Sequence, residues 1–160
     1  MVAEGVPFTG VLYGGLMKTP NGIKVIEFNA RFGDPETEVV LPRLKSDAID
    51  VFMAVASDEQ PVAEWSEGAT LGIVLASKGY PGDYAKGFAI RGTENVESKI
   101  YHMGTAMKDG ELVTAGGRVM IVVAEAPTLR EAQQKAEADV ARIECDNLFH
   151  RTDIGAKAFR

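Results

Sequence analysis

Glu27, Asn29 and Arg31 occupy every second position at the end of an apolar run, within Ile26-Glu27-Phe28-Asn29-Ala30-Arg31-Phe32-Gly33-Asp34-Pro35-Glu36. Residues two apart on an extended strand point to the same face, so the side chains of Glu27 and Asn29 emerge side by side. Their Cα atoms should lie roughly 6–7 Å apart, given a rise of about 3.3 Å per residue. From that distance a carboxylate and an amide carbonyl can lean together onto one hard cation, which prefers oxygen ligands. Arg31 shares the parity and carries a planar fork suited to phosphate. The pattern reads as a corner where a metal and a phosphoryl group meet; the plainer reading is a solvated strand face.

Other candidates are scattered along the chain. Asp34 precedes Pro35 and Glu36, which together make a good helix start with Asp34 as N-cap. Arg118 follows Gly116-Gly117, a pairing of bare backbone N–H groups with a guanidinium that suits a small phosphate cradle. A strand arginine paired with a surface acid is the alternative there. His102 lies between Tyr101 and Met103 and reads as a packed or surface histidine. Tyr80 and Tyr84 read as loop anchors, and Arg151 with Asp153 as a local ion pair. The single cysteine, Cys145, excludes an internal disulfide framework and fits a reducing, cytoplasmic setting. It falls at the end of a predicted helix, where a buried inert thiol is expected.

The elements that must carry these residues follow from periodicity and punctuation. Strands are expected over 10–17 and 24–28, joined by the turn Thr19-Pro20-Asn21-Gly22, whose Asn-Gly pair tolerates positive φ. A short helix from Asp34 should break at Pro42. A second helix over about 46–56 would present Ile49, Phe52, Met53 and Ala56 on one face. The polar breaker Ser57-Asp58-Glu59-Gln60-Pro61 sets a boundary between residues 1–58 and 59–160. In the second part, strands are predicted at 70–76, 87–90, 99–107, 111–115 and 118–124. The loop 78–84 has a Pro-Gly pair suited to a type II turn. Lys108-Asp109-Gly110 supplies a hairpin turn. Thr128 and Glu131 form a capping box for a helix to about 144, with Leu129, Ala132, Ala136 and Val140 on its apolar face. The order is that of an α+β protein in two lobes, with a mainly antiparallel sheet or small barrel.

Composition excludes several classes. The 160 residues are 46% hydrophobic and 25% charged, as in an ordinary globular protein. A net charge of −6 offers no broad basic field for nucleic acid or an anionic membrane. No apolar run approaches the roughly 20 residues of a membrane helix, and the first residues lack the features of a signal peptide.

The run Glu27-Phe28-Asn29-Ala30-Arg31-Phe32-Gly33-Asp34-Pro35-Glu36 resembles the signature of the phosphoribosylamine–glycine ligases, the glycinamide ribonucleotide synthetases. Its Glu-x-Asn-x-Arg core is shared more loosely by many ATP-grasp enzymes, biotin carboxylases among them. The continuation Arg-Phe-Gly-Asp-Pro-Glu narrows the match. Segments 10–17, 79–82, 102–105, 116–119 and 151–155 resemble the same family in the same order. The likeness runs from end to end of this chain but covers only the C-terminal part, under half, of the family's usual length.

The resemblance implies that residues 1–58 are the C-terminal portion of an ATP-grasp domain and residues 59–160 a substrate-binding lobe. It implies a reaction in which ATP phosphorylates glycine and 5-phosphoribosylamine then displaces phosphate, giving glycinamide ribonucleotide in purine synthesis. Glu27 and Asn29 would hold Mg²⁺ or Mn²⁺, and Arg31 would stabilise charge on the transferring phosphoryl group. Asp34 would orient the amine, while Gly117 and Arg118 would hold the ribose 5-phosphate. The partners implied are ATP, glycine, 5-phosphoribosylamine and the N-terminal part of the same polypeptide, in a monomer. The family's glycine-rich lobe, adenine-gripping segment and phosphate-binding lysine would lie upstream of residue 1, so this chain alone is expected to be nearly inactive.

Two departures stand out. Many ATP-grasp enzymes carry another metal-binding carboxylate twelve residues before the glutamate, where this chain has Gly15. Glu38 stands where the ligases usually have Gln. Another ATP-grasp enzyme, such as a carboxylase subunit, fits the Gly-Asp-Pro-Glu and Arg-Thr-Asp-Ile-Gly runs poorly. From a different class, a stand-alone non-catalytic domain binding a phosphosugar or a partner protein would have no need of Glu27 and Asn29.

Overall fold

The computed structural model describes residues 1–159, which divide into two compact units, Met1–Ser66 and a second beginning at Glu67. The first unit is built on an antiparallel hairpin of β1 (Tyr13–Thr19) and β2 (Gly22–Asn29). Gly22 takes the positive φ at the turn, while Asn21 donates its backbone N–H to the Thr19 hydroxyl instead. A bulge between Gly15 and Leu16 shifts the register, leaving Gly15 opposite Glu27 and Tyr13 opposite Asn29.

Helix α1 (Glu36–Val40) begins one residue later than an Asp34 cap requires. Pro35 holds the cap position without a side-chain acceptor, and the Gly33 carbonyl receives the Thr37 N–H. Asp34 is therefore not the N-cap. A 3-10 turn, Leu41–Arg43, follows across Pro42. Helix α2 (Ala48–Ala56) is capped by the Asp47 carboxylate, which accepts from the backbone of Ile49 and Asp50.

The apolar face expected of α2 exists but is not covered. Ile49 and Met53 are 69% and 59% exposed, although the Phe52 ring meets Phe32. The chain after the Ser57–Pro61 breaker turns back on the same unit. Trp65 bridges to Leu44, Lys45 N–H donates to Glu64, and Ser66 N–H donates to Arg43.

The second unit has a true core. Its four-stranded antiparallel sheet runs β4 (Lys99–His102), β7 (Arg118–Ala126), β3 (Ala69–Ser77), β8 (Leu148–Phe149). Continuous apolar runs mark strands buried on both faces, and every residue from Val119 to Ala124 is buried. The cross-strand pairs Leu71–Ala124, Ile73–Val122 and Leu75–Met120 join Ala132, Ala136 and Val140 of α3 (Leu129–Val140) in one cluster. Alanines at successive turns let this helix approach the sheet closely, and the Thr128–Glu131 capping box starts it. The helix ends four residues early because Glu144 exchanges two backbone hydrogen bonds with Arg91. Cys145 consequently lies beyond the helix, half-buried against the core.

Two strand expectations are corrected here. The strand predicted at 99–107 is broken at Met103 and Gly104, whose N–H groups both donate to the Val119 carbonyl. Beyond the break, β5 (Thr105–Lys108) leaves the sheet and pairs with β6 (Glu111–Thr114) through Asp109 and Gly110, both at positive φ. Residues 87–90 form an irregular ribbon beside β6, with an isolated bridge at Ala89, rather than a strand. The loop 78–84 also differs from a type II turn. The Tyr80–Pro81 bond is cis, and Gly79 rather than Gly82 takes the positive φ.

Candidate functional site

Glu27 and Asn29 come together as the strand period requires. The Asn29 amide donates to Glu27 Oε1 at 2.9 Å, on exposed side chains at the end of β2. Amide oxygen and nitrogen exchange places by rotation about the terminal bond. The site can therefore present a carboxylate oxygen and an amide oxygen about 2.9 Å apart. Two ligands on an octahedral cation with bonds of about 2.1 Å lie about 3 Å apart, so this donor pair fits a small hard dication. Among the described residues no cluster of three or more His, Cys, Asp or Glu side chains gathers as a metal cage. A cation on this pair would complete its shell with other oxygens.

Gly15 has a local reason to be glycine. A Cβ there would stand 3.2 Å from Glu27 Cγ, so a side chain would crowd the carboxylate from the opposite strand. Tyr13 and Glu36 belong to the same neighbourhood and were not singled out by sequence reasoning. The Tyr13 hydroxyl donates to Glu36 Oε1 at 3.1 Å, tying the start of α1 to β1 beside Asn29. That hydrogen bond raises the phenol's pKa, helped by burial and by the charges of Glu36 and Glu27. Only contact between distant segments joins these two residues, so spacing carried no signal for them. A Cβ at Gly33 would meet the Glu36 side chain, which would have to shift to admit it.

Arg31 lies just past the strand and donates to the Phe32 carbonyl at 2.8 Å. Asp34 sits in the loop before α1, joined to Pro35 by a cis peptide bond. Glu38 has one buried carboxylate oxygen, Oε2, without a hydrogen-bond partner.

In the second unit, Gly116, Gly117 and Arg118 form the entry to β7 and are gripped by the end of β3. Ser77 is buried; its hydroxyl donates to the Gly116 carbonyl and its N–H to the Gly117 carbonyl, both at 2.8 Å. Gly104 packs its backbone on Gly116, and a Cβ on Gly104 would come within 2.7 Å of Gly116 Cα. The Tyr80 ring rests against Gly117 so closely that no Cβ could be added there. Tyr80 also meets Tyr84 edge-on, with ring centroids 6.2 Å apart. Tyr80 and Tyr84 read as loop anchors from sequence, but the contacts of Ser77, Tyr80 and Gly104 with the glycine pair join separate segments and were missed by sequence reasoning.

His102 shares a hydrogen with the Thr105 hydroxyl across the strand break, Nδ1 to Oγ1 at 3.0 Å. Arg151 forks onto Asp153 with two hydrogen bonds, at 2.8 and 2.6 Å. Arg151 also edges a cavity of about 330 Å³ that Ile73, Glu137 and His150 line. No helix among the described residues is long and apolar enough to cross a membrane.

Residues 70–157 match the family model of the phosphoribosylglycinamide synthetase C domain, and residues 1–37 that of the ATP-grasp (A) domain of the same synthetase. A phosphoribosylamine–glycine ligase of Halalkalibacterium halodurans is 53% identical over 160 residues, covering 99% of this chain and 37% of the relative. The trifunctional purine biosynthetic protein adenosine-3 of Gallus gallus is 47% identical, over 99% of this chain and 16% of its own length. The crystal structure of the Thermotoga maritima phosphoribosylamine–glycine ligase superposes with a TM-score of 0.80 at 34% identity, over 90% of this chain and 36% of that one. The chain thus spans a little over a third of the length of the bacterial ligases that it matches. With more than half of its residues inside the C-domain match, the chain belongs to the phosphoribosylglycinamide synthetase family.

Proposed function

We propose that this chain is the C-terminal part of an ATP-dependent ligase joining glycine to 5-phosphoribosylamine in purine (IMP) biosynthesis. Residues 1–58 contribute to its ATP-grasp domain and residues 59–160 to its substrate-binding lobe, whose compact part begins at Glu67. The observation that carries the reading is the Glu27–Asn29 pair, two hard oxygen donors at cation-ligand spacing. Membership of the synthetase family supplies the chemistry that such a pair would serve.

In the first step a glycine carboxylate oxygen attacks the γ-phosphorus of ATP, and ADP leaves. In the second, the amine nitrogen of phosphoribosylamine attacks the acyl carbon of glycyl phosphate. The C–O bond to phosphate breaks, inorganic phosphate departs, and the amine gives up a proton. A divalent cation, Mg²⁺ or Mn²⁺, when bound, screens the phosphate charges during transfer. Glu27 and Asn29 would hold that ion, the carboxylate supplying charge and the amide a neutral oxygen. Arg31 offers its guanidinium to the transferring phosphoryl group, where negative charge spreads over the equatorial oxygens. Asp34 accepts an N–H from the amine and keeps its lone pair directed at the acyl carbon. Gly117 N–H and the Arg118 guanidinium bind the ribose 5-phosphate.

By themselves these residues turn over little or no substrate, in the cytoplasm or in a test tube. The chain spans 37% of the 53%-identical ligase. Both faces of the β1–β2 hairpin are apolar and uncovered, with Leu16, Met17, Ile23, Val25, Ile26 and Phe28 all more than half exposed. Strands that are apolar on both faces belong inside a larger covered sheet. The remainder of the ligase polypeptide is the partner that this surface suits.

The test is an exchange. The chain, substituted for the matching region of a full-length relative, is expected to support ADP release that requires both glycine and phosphoribosylamine. The chain assayed alone is expected to show none. An inactive but folded and soluble chimera would count against the reading, as would turnover by the chain alone against the need for a partner.

A further inference from the structure

Three residues from two separate segments, 77–80 and Gly104, close on the glycine pair before Arg118. Ser77 fixes both glycine carbonyls, Gly104 lies backbone to backbone on Gly116, and the Tyr80 ring covers Gly117. Of the three, only Tyr80 acts through a side chain that is also partly open to solvent, at 37% exposure. Its loop is itself held shut. Gly79 adopts φ +98°, where a Cβ would strike the Asp83 carbonyl, and the Tyr80 N–H donates to the Ser77 carbonyl at 3.0 Å. The Lys78 N–H donates to the Asn147 carbonyl at 2.9 Å, anchoring the same loop from the other side.

The ring therefore stands against the one peptide whose orientation sets where the Gly117 N–H and the Arg118 side chain point. Glycine is the most permissive residue in φ and ψ, and two in succession form the softest backbone available. A phosphate cradle needs the opposite, donors fixed before the anion arrives. A flat, rigid aromatic face removes that freedom without a covalent constraint.

We propose that Tyr80 is a positioning residue for recognition of a pentose phosphomonoester, locking the Gly116–Gly117 backbone so that Gly117 N–H and Arg118 converge on the phosphate. The proposal rests on the reading above that Gly117 and Arg118 bind phosphate. It adds the residue that gives their arrangement its rigidity, and it gives a reason for glycine at 117, where a Cβ would strike the Tyr80 ring.

The test titrates ribose 5-phosphate into the whole chain, following heat of binding and the Gly117 amide resonance. Wild type is expected to bind, and Arg118→Gln to lose binding. Tyr80→Ala should bind at least about tenfold more weakly, the scale on which small misplacements of binding groups are felt. Tyr80→Leu keeps apolar bulk for folding yet loses the flat ring, and should weaken binding similarly. Tyr80→Phe, which keeps the ring, should bind within about twofold of wild type, since the ring rather than the hydroxyl meets Gly117. Gly117→Ala should be as weak as Tyr80→Ala, and the double variant no weaker than either, because both break one contact. A purely structural tyrosine would give losses that add and follow the melting temperature. Undiminished binding by Tyr80→Ala and Tyr80→Leu, with Arg118→Gln inactive, overturns the role of Tyr80 and leaves the phosphate reading standing. No binding by wild type, or full binding by Arg118→Gln, overturns the phosphate reading and this inference with it.

Discussion

Glu27 and Asn29 meet because side chains on a strand repeat every second residue, so their pairing was legible from spacing alone. The neighbouring Tyr13–Glu36 hydrogen bond was not, since no local rule ties residue 13 to residue 36. Asp34 misled for a definite reason. An Asp-Pro-Glu run satisfies the composition of a helix start, yet the backbone places Pro35 at the cap and hands the first carbonyl to Gly33. Arg118→Ala in a full-length chimera is expected to raise KM for phosphoribosylamine at least about tenfold, since each charged hydrogen bond contributes about 1.5–3 kcal/mol. KM for glycine should stay unchanged, and steady-state kinetics on both substrates checks it.

Asp139 carries a separate prediction at the same scale. It is 2% exposed and accepts the backbone N–H groups of Glu97 and Ser98 and a guanidinium hydrogen of Arg142. Burial pushes its pKa up, but the Ser98 and Glu97 donors and the Arg142 charge outweigh burial and hold it below the ordinary carboxylate value. A carboxyl depressed in the folded state stabilises above its unfolded pKa, and that contribution fades as pH falls through the folded value. Asp139→Ala should thus cost about 2–4 kcal/mol near neutrality, mostly from stranding two backbone donors. The deficit should shrink below about pH 4, where the unfolded chain's carboxyl begins to take up a proton, and should vanish once the folded one is protonated too. Urea denaturation across that range measures both.

At the scale of elements, the parts set by local chemistry were legible and the parts set by contact were not. The Thr128–Glu131 box marked the start of α3, and Asp109-Gly110 marked the β5–β6 turn. The end of α3 was invisible because Arg91, some fifty positions earlier, recruits Glu144 into a backbone pair. The strand at 99–107 reads as continuous from its residues. What breaks it is the Val119 carbonyl accepting two N–H groups while Gly104 closes on Gly116. Gly104→Ala would drive a methyl within 2.6 Å of the Arg118 carbonyl. It should lower the unfolding free energy by about 1–3 kcal/mol, the usual cost of overpacking. Chemical denaturation of the single variant checks this.

Over the whole molecule, the two units differ in kind. The second unit buries a contiguous core of sheet and helix, whereas in Met1–Ser66 the one buried residue is Gly33. Sequence periodicity shows which face of a helix or strand is apolar but not what covers it. The exposure of Ile49, Met53 and the hairpin was therefore beyond its reach. A unit that buries so little cannot offset the entropy of ordering its chain. Residues 67–160 produced alone should melt in one cooperative transition, whereas residues 1–66 alone should show none and should bind a hydrophobic dye. Calorimetry and dye fluorescence on the two pieces check this, and cooperative melting of 1–66 would contradict it.

The central claim is that Glu27 and Asn29 hold the dication at which glycine is phosphorylated. Its most direct test is Glu27→Ala in the full-length chimera, assayed for glycine-dependent ADP formation. Loss of the cation's charge stabilisation, several kcal/mol, predicts a fall of about a thousandfold or more with an unchanged melting temperature. Turnover within about tenfold of the parent chimera, at saturating Mg²⁺, would contradict the account.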